Sequence, residues 1–313
     1  MFKPNQVICI DIGGSFIKLG VSTAPGNIQF LQQAPMACQN WNTFVNTLHI
    51  LLADPSFALD DSAPLAISVA GIVDLEADRV FAGNIPAFQG HHIIRELSAV
   101  LGRKVYMAND VNCFTLAEAT VGCGAPYTMV LGMILGTGIG GGLVLNGQII
   151  QGRGGIAGEW GHAPIMATQW TVAGKSIELP RVACGCGQTG CVESYGSARG
   201  IERLHQTLHQ RRAECRAIVS NWHQGDLLAA QTIDLWLQIV SESLALVVNT
   251  TGVDLVIAGG GLANDAVLIS ALDRQLRSLI LLDPGRALVV VGQHSQYGGL
   301  IGASMLVWNE HRS

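Results

Sequence analysis

Two kinds of apolar pattern alternate along the chain. Short continuous apolar runs predict buried strands at Val7–Ile10, Phe16–Val21, Leu65–Val69, Val105–Ala108, Met129–Leu135, Leu143–Leu145, Val253–Ala258 and Leu288–Val291. The segments between them predict helices at Trp41–Leu52, His92–Leu101, Asn109–Ala119, Arg199–Gln210, Thr232–Asn249, about Asp265–Leu281, and Gly299–Trp308. Strands that alternate with helices indicate an α/β architecture.

One local unit occurs twice: a buried strand, a glycine-rich turn and a second buried strand. The first copy contains Asp11-Ile-Gly-Gly-Ser15, and the second contains Gly136-Thr-Gly-Ile-Gly-Gly-Gly142. The two copies are too far apart for a solenoid repeat. We therefore expect two related half-domains that face one another, with two unrelated hairpins as the alternative.

Composition narrows the class of protein. The chain has 313 residues, which at roughly 150 residues per domain indicates two lobes or one large α/β domain. Only 13% of the residues are charged and 49% are hydrophobic, which excludes a disordered chain. The formal net charge is −5 and no basic run is longer than a pair such as Arg211-Arg212, so we expect no nucleic-acid partner.

A membrane span is the alternative raised by the stretch from Ala119 to Gly152, which has no Asp, Glu, Lys or Arg. A span needs about 20 apolar residues, whereas Pro126 and the glycines of the second turn favour buried strands joined by a turn. The first apolar run ends at Asp11, so we expect no secretory leader and a cytoplasmic protein. In a reducing compartment, clustered cysteines indicate metal or redox chemistry more often than disulfides.

Three glycine-rich turns follow buried strands, at Gly13-Gly14, Gly138–Gly142 and Gly259–Gly261. A phosphate oxygen reaches backbone N–H groups most easily where no Cβ intervenes and positive φ is allowed. The third turn also precedes a predicted helix, whose N-terminus favours anions. Asp11 would hold Mg²⁺ through water. The Walker and early G-x-G-x-x-G patterns are absent from the sequence, so the turns favour a nucleotide held between two lobes.

A cysteine cluster lies at Cys184-Gly-Cys-Gly-Gln-Thr-Gly-Cys191. With His162, these thiols would form a closed, structural Cys₃His zinc site. A redox-active or merely buried group of cysteines is the alternative. Such a zinc site would fix Glu159 and Glu193 near one another, where two carboxylates suit a polyhydroxylated ligand; ordinary surface glutamates are the alternative.

Asn109-Asp110 has two interpretations. The pair is a helix N-cap with an acid that complements the helix dipole, or Asp110 is a general base at the carboxyl end of a strand, where ligands bind in open α/β sheets. Asn84, in Gly83-Asn84-Ile85-Pro86, is a turn residue by default.

Together these motifs resemble the ROK family of bacterial sugar kinases and repressors. Asp11–Ser15 resembles the first phosphate motif of the family, with Ser where Thr is usual, and Leu135–Gly142 resembles the second. Gly158-Glu-Trp-Gly-His162, followed by Cys184–Glu193, resembles the zinc signature of the family. The similarity runs from Val7 to about Ala303. Within the family, Asn109–Phe114, Met133–Leu143 and the long insert between His162 and Cys184 most resemble the N-acetyl-D-glucosamine kinases.

The resemblance implies a fold and a lobe division. The fold would be the actin-like, hexokinase-like (ribonuclease H-like) two-lobed ATPase fold, with duplicated half-domains and a zinc-bound loop. Residues 1–118 and 299–313 would form the small N-terminal lobe, and residues 119–298 the large lobe with the zinc site. A homodimer is also expected.

The resemblance also assigns residues. Asp110 would be the catalytic base. Sugar would be bound by Gly71, Asn84, Asn109, Asp110, Glu159, His162 and Glu193. The nucleotide would be bound by Asp11, Gly13, Gly14, Ser15, Lys18, Thr137, Gly138, Gly140, Gly259, Gly260 and Gly261. Zinc would be bound by His162, Cys184, Cys186 and Cys191, and ATP and Mg²⁺ would be required.

The implied activity is ATP-dependent 6-phosphorylation of N-acetyl-D-glucosamine. Glucokinase, N-acetylmannosamine kinase, fructokinase and allose kinase are the alternatives within the family. A sugar-sensing repressor would carry a helix-turn-helix before the first phosphate motif, and Asp11 leaves no room for one. An actin-like filament protein would need no Cys₃His site.

Overall fold

A computed structural model describes residues 4–36, 39–83 and 85–310. The strands are β1 (Val7–Ile12), β2 (Phe16–Ala24), β3 (Asn27–Pro35), β4 (Leu65–Val69), β5 (Ile72–Asp74), β6 (Arg79–Phe81), β7 (Val105–Asn109), β8 (Met129–Leu135), β9 (Ile139–Leu145), β10 (Gln148–Ile149), β11 (Gln169–Val172), β12 (Lys175–Glu178), β13 (Leu255–Gly259) and β14 (Val289–Val291). The helices are α1 (Trp41–Leu52), α2 (Ile93–Leu101), α3 (Asp110–Val121), α4 (Glu193–Gly196), α5 (Ala198–His209), α6 (Cys215–His223), α7 (Leu227–Thr251), α8 (Ala266–Arg277) and α9 (Gly298–Glu310).

The chain forms two compact units. Unit 1 comprises the residues up to Gly132, Gly142–Ala157 and the residues from Gln293 onward. Unit 2 comprises Met133–Gly141 and Gly158–Gly292. The predicted lobe bounds at residues 118 and 298 stay a prediction.

The first sheet has the strand order β3-β2-β1-β4-β7. Strands β1, β2 and β3 pair in antiparallel fashion, whereas β4 runs parallel to both β1 and β7. The register places Asp11 opposite Ser68, and Val69 opposite Asn109. Because β1, β4 and β7 are parallel, their carboxyl ends meet at one edge of the sheet.

The second sheet repeats this order, as β10-β9-β8-β13-β14. Strands β9 and β10 are antiparallel, and β13 and β14 are parallel. In both sheets a run of hairpin-connected strands is followed by two strands reached through helices. The repeated order confirms the two related half-domains predicted from the two glycine turns, and the mixed sheets confirm the α/β class.

Helix α9 packs against α3, β1 and β4 within unit 1. Gly302 lies so close to the Cys113 carbonyl that a side chain on Gly302 would overlap it. At the far end of α9, the Trp308 indole N–H donates a hydrogen bond to the Ser22 hydroxyl over 2.9 Å. This close approach of α9 buries the part of α3 around Cys113, one turn after Asp110.

Helices α5, α6 and α8 all pack on the long helix α7 of unit 2. The fully buried Trp236 of α7 donates its indole N–H to the Gly196 carbonyl over 2.7 Å. Buried Asp273 of α8 accepts backbone N–H bonds from Leu288 and Val289, at 2.7 and 2.9 Å. Its carboxylate therefore fixes the start of β14.

Several elements were not predicted: β3, the hairpins β5–β6 and β11–β12, and α6. Strand β3 is largely polar and lies at the edge of its sheet, so it has no continuous apolar run. The predicted helix from Asp265 to Leu281 ends at Arg277, because Leu281 and Leu282 are 85% and 81% exposed and contribute no buried helix face. Among the described residues, no helix combines the length and the apolar character that crossing a membrane requires.

Candidate functional site

Asp11 lies near the end of β1, beside the first glycine turn. Its Oδ2 accepts a hydrogen bond from the Lys18 ammonium at 3.2 Å, and its Oδ1 accepts one from the Ser68 hydroxyl at 2.8 Å. The turn is closed by a Gly13 N–H bond to the Phe16 carbonyl over 3.0 Å. A Cβ placed on Gly14 would meet no described heavy atom within 4 Å, so this turn is open to a ligand.

Asn109 ends β7 and caps α3. Its Oδ1 accepts the backbone N–H groups of Val111 and Asn112 at 2.9 and 3.1 Å, and its Nδ2 donates to the Gly71 carbonyl over 2.9 Å. The N-cap interpretation is therefore confirmed for Asn109. Asp110 is the first residue of α3, and one of its carboxylate oxygens accepts the Val111 N–H at 2.9 Å.

Gly71, whose carbonyl accepts the Asn109 amide, has a backbone conformation and a close contact that only glycine accommodates. Its φ is 137°, and a Cβ there would lie 2.7 Å from the Phe81 carbonyl oxygen. Hairpin β5–β6 thus packs directly on the residue that receives the Asn109 amide. Asn84, the other residue predicted near the sugar, lies outside the described residues.

The cysteine cluster folds as a closed loop on the His162 segment. The backbone joins the two through a bridge between Pro164 and Cys191 and a hydrogen bond from the Ile165 N–H to the Gly190 carbonyl at 2.8 Å. The ligand atoms of His162, Cys184, Cys186 and Cys191 all lie within 4.8 Å of one another.

Two of these separations show how the donor atoms are arranged. Cys184 Sγ lies 3.7 Å from His162 Nδ1, and Cys186 Sγ lies 3.6 Å from Cys191 Sγ. Zinc bonds of about 2.0–2.3 Å in a tetrahedron need separations of this size between the ligand atoms. The residues therefore fit zinc, bound through Nδ1 of the histidine.

Two carboxylates flank this cluster. Glu159 Oε2 lies 3.9 Å from His162 Nε2, on the side of the imidazole away from Cys184. Glu193 accepts the Cys184 thiol on Oε1 at 3.6 Å and the Ile139 N–H on Oε2 at 3.0 Å. Burial raises the pKa of Glu159, and the Glu193 charge adds to this rise while His162 opposes it. The two glutamates predicted to lie together thus contact adjacent members of the cluster, Glu159 at His162 and Glu193 at Cys184.

The second glycine turn differs from its prediction. Strand β9 begins at Ile139, so Gly140, Gly141 and Gly142 lie in a strand rather than in the turn. A Cβ on Gly138 would lie 2.6 Å from Glu193 Oε2, and one on Gly141 would lie 2.6 Å from the Trp160 ring. These glycines are therefore required by close packing.

Most of the turn glycines do not adopt the positive φ that the lack of a Cβ allows. Among the glycines of the three turns, all of which the structure describes, only Gly260 has it, at 85°. Gly260 packs on the Leu135 backbone. The third turn continues into a 3₁₀ turn, Gly261–Asn264, and α8 follows from Ala266 with Asp265 as its N-cap, which confirms the predicted start of the helix near Asp265.

The predicted site residues fall into two groups, each within one unit. Unit 1 contains Asp11, Gly13, Gly14, Ser15, Lys18, Gly71, Asn109 and Asp110. Unit 2 contains Thr137, Gly138, Gly140, Glu159, His162, Cys184, Cys186, Cys191, Glu193 and Gly259–Gly261. Ser68, which touches Asp11, was not predicted, since a single serine in an apolar strand gives no sequence signal.

Comparison with known proteins decides the family, because the ROK family matches residues 7–310. The chain belongs to the ROK family. It is 34% identical over 296 residues to the N-acetyl-D-glucosamine kinase of Salmonella gallinarum, covering 95% of this chain and 97% of that one.

Solved ROK structures show the same fold. The ROK hexokinase from Thermus thermophilus superposes with a TM-score of 0.81 at 27% identity, covering 98% of this chain and 99% of the other. A ROK glucokinase from Streptomyces griseus, in complex with glucose and AMPPNP, gives 0.74 at 25% identity over 97% and 99%. The actin-like, hexokinase-like fold predicted from the motifs is therefore confirmed.

Proposed function

We propose that this ROK protein transfers the γ-phosphoryl group of ATP to the 6-hydroxyl of N-acetyl-D-glucosamine. The observation that carries the proposal is the placement of two acids at one edge of the first sheet. Asp11 lies near the carboxyl end of β1 beside an open glycine turn, and Asp110 directly follows β7, with β4 between these strands. Ligands bind at this edge in open α/β sheets.

Asp110 is the general base in this proposal. Its carboxylate takes the proton from the 6-hydroxyl as that oxygen bonds to the γ-phosphorus, and the bond from phosphorus to the ADP oxygen breaks. The start of α3 favours a negative charge at this position. Because the transition state of phosphoryl transfer is loose, most of the remaining catalysis is positioning and charge stabilisation.

The sugar hydroxyls are assigned to Glu159, Glu193 and the Nε2 edge of His162. With Nδ1 directed at the cysteine thiols, Nε2 is the imidazole nitrogen that remains for a sugar. Gly71, Asn84 and Asn109 are proposed on the sugar side as well, with Asn109 acting mainly through the cap that orients Asp110.

The nucleotide is assigned to the three glycine turns. Gly13, Gly14 and Ser15 with Lys18, Thr137, Gly138 and Gly140, and Gly259–Gly261 would contact the phosphates and nucleoside. The Asp11 carboxylate fits Mg²⁺, which prefers oxygen ligands and retains several waters. When bound, Mg²⁺ would neutralise charge that develops on the phosphate oxygens.

Zinc is assigned a structural role. His162, Cys184, Cys186 and Cys191 would hold it in a closed site with no open position for substrate. Its contribution would be to fix the segments that carry Glu159 and Glu193. The ROK resemblance also leads us to propose a cytoplasmic homodimer.

The activity is tested by assaying ADP release from MgATP with glucose, N-acetylglucosamine, N-acetylmannosamine and fructose. We expect the highest kcat/KM with N-acetylglucosamine, and ³¹P NMR should show phosphate on the 6-oxygen of the product. Glucose is the second candidate, because the ROK relatives of known structure include a hexokinase and a glucokinase. A higher kcat/KM with any other sugar contradicts the substrate, and the absence of transfer to every sugar contradicts the activity.

A further inference from the structure

Ser68 is a fully buried hydroxyl in the otherwise apolar strand β4. It lies directly across the strand pair from Asp11 and donates to Asp11 Oδ1 over 2.8 Å. The Lys18 ammonium donates to the other oxygen, Oδ2, over 3.2 Å. Both oxygens of the carboxylate therefore have a fixed donor, and these two bonds determine the plane of the group. Hydrogen bonds to a charged acceptor are about twice as strong as neutral ones.

The first turn of α9 closes over this contact. A Cβ on Gly299 would lie 2.6 Å from Asp11 Oδ1 and 2.9 Å from Ser68 Oγ, so the helix backbone itself packs on both atoms. The hydrogen bond from Ser68 to Asp11 therefore lies directly against the backbone of α9.

A neutral thiol completes the surroundings. Cys113 lies one turn after Asp110 on α3, adjacent to Ser68. Burial raises the pKa of this thiol, and the negative charges of Asp11 and Asp110 raise it further, while a hydrogen bond with Ser68 opposes the rise. The thiol is therefore neutral and adds no charge beside Asp11. Ser68 and Lys18 are the groups that stabilise the charge of the Asp11 carboxylate.

We propose that Ser68 is a positioning residue that fixes the Asp11 carboxylate in the orientation needed to bind metal–nucleotide. The inference rests on the proposed function for the role of Asp11. Without the hydroxyl, Oδ1 would lose its donor and the carboxylate would rotate about its bond to Cβ. Misplacement of a positioned group by about 1 Å costs on the order of 100-fold in rate.

The test is Ser68→Ala, compared with Ser304→Ala. Ser304 is an equally buried serine of unit 1 whose hydroxyl donates to Ile301 of its own helix over 2.7 Å. We expect Ser68→Ala to lower kcat roughly 10- to 100-fold with an unchanged KM for the sugar. Calorimetric titration should show about 5- to 10-fold weaker binding of MgADP and unchanged binding of metal-free ADP. Ser304→Ala should change neither quantity.

A double-mutant cycle separates positioning from a general packing effect. If Ser68 acts through Asp11, Asp11→Ala and Asp11→Ala/Ser68→Ala should have the same kcat and MgADP affinity within about twofold. Additive losses would overturn the proposal, as would Ser68→Ala binding MgADP like the unsubstituted protein.

Ser68→Gly, which leaves space for a water, repeats the test if Ser68→Ala does not fold. Failure of both variants to fold assigns Ser68 to stability alone and overturns the positioning role. The MgADP titration needs no sugar, so it still tests Ser68 if the unsubstituted protein phosphorylates none of the sugars. The absence of phosphorylation of every sugar contradicts the proposed function and leaves the role of Ser68 to the MgADP titration.

Discussion

Glu193 Oε2 accepts the backbone N–H of Ile139 over 3.0 Å. Glu193 lies two residues after the proposed zinc ligand Cys191, and Ile139 begins β9 directly after the second glycine turn. The other carboxylate oxygen accepts the Cys184 thiol. One side chain therefore connects the cysteine loop to the turn assigned to phosphate. A substitution that displaces either segment should also displace the other.

Gly138 tests that connection. A Cβ on Gly138 would lie 2.6 Å from Glu193 Oε2, so Gly138→Ala must displace the carboxylate. We expect the KM for the sugar to rise by about tenfold or more and the Tm to fall by a few degrees.

Gly136→Ala is the steric control for stability, since a Cβ there meets no described heavy atom within 4 Å. Differential scanning calorimetry without ligands should give it the Tm of the unsubstituted protein. Equal Tm values for the two variants would show that the close contact between Gly138 and Glu193 does not contribute to stability.

The metal site predicts a specific loss in Cys186→Ser. One of the four donors would become a hydroxyl, which binds zinc poorly, so zinc content should fall from about one per chain to well below half. Metal binding contributes to folding, and each kcal/mol lost lowers Tm by roughly 2–4 °C in a domain of this size. Elemental analysis of purified protein gives the zinc content.

Cys123→Ser is the matched control, because Cys123 lies outside the cluster and its thiol contacts Glu118 instead. It should retain zinc. Full zinc content in Cys186→Ser would contradict the assignment of Cys186 as a zinc ligand.

Buried Glu118 predicts a stability effect in unit 1. Its side chain is 0% exposed, Oε1 accepts the His294 N–H at 2.6 Å, and Oε2 accepts the Cys123 N–H at 3.3 Å. In Glu118→Gln the amide NH₂ would face one of these donors, which should cost about 1–3 kcal/mol of unfolding free energy. Urea unfolding measures this cost. Glu76→Gln, at an exposed position, should change stability by less than about 0.5 kcal/mol, and an equally small effect of Glu118→Gln would contradict the contact.

Two histidines of α5 predict a pH dependence of stability. His205 Nδ1 and His209 Nε2 lie 2.9 and 3.2 Å from the hydroxyl of buried Thr232. Burial lowers the pKa of both rings below their ordinary value near 6.5, with Arg211 lowering and Asp226 raising it. Protons therefore bind preferentially to the unfolded chain.

The stability from this pair should be complete above about pH 6.5 and decline as the pH falls from there through the lowered folded pKa. The slope should reach at most about 1.4 kcal/mol per pH unit for each histidine. Urea unfolding from pH 7.5 to 5.5 should show a shallower decline in His205→Gln than in the exposed control His49→Gln. Identical slopes would contradict the assignment.

The parts of the fold that were predictable are those with a local signal. Leu65–Val69, Met129–Leu135 and Trp41–Leu52 have the predicted bounds because each has a continuous apolar run or helical spacing. Strand β3 and the hairpin β11–β12 were missed because pairing with a neighbouring strand, rather than an apolar run, defines them.

The candidate site divides in the same way. The donors His162, Cys184, Cys186 and Cys191 are recognisable by residue type and spacing, and the structure brings them together. The roles of Gly138 and Ser68 depend on contacts with Glu193 and Asp11, residues 55 and 57 positions away in the chain, which no local pattern reveals.

Asp110→Asn removes the proposed general base. The amide keeps the size of the side chain but accepts a proton poorly, so kcat for N-acetylglucosamine should fall by about 10²- to 10⁴-fold. The KM for the sugar should change little, and Asp61→Asn, at an exposed position, should retain full turnover. Turnover of Asp110→Asn within about threefold of the unsubstituted protein would exclude Asp110 as the general base.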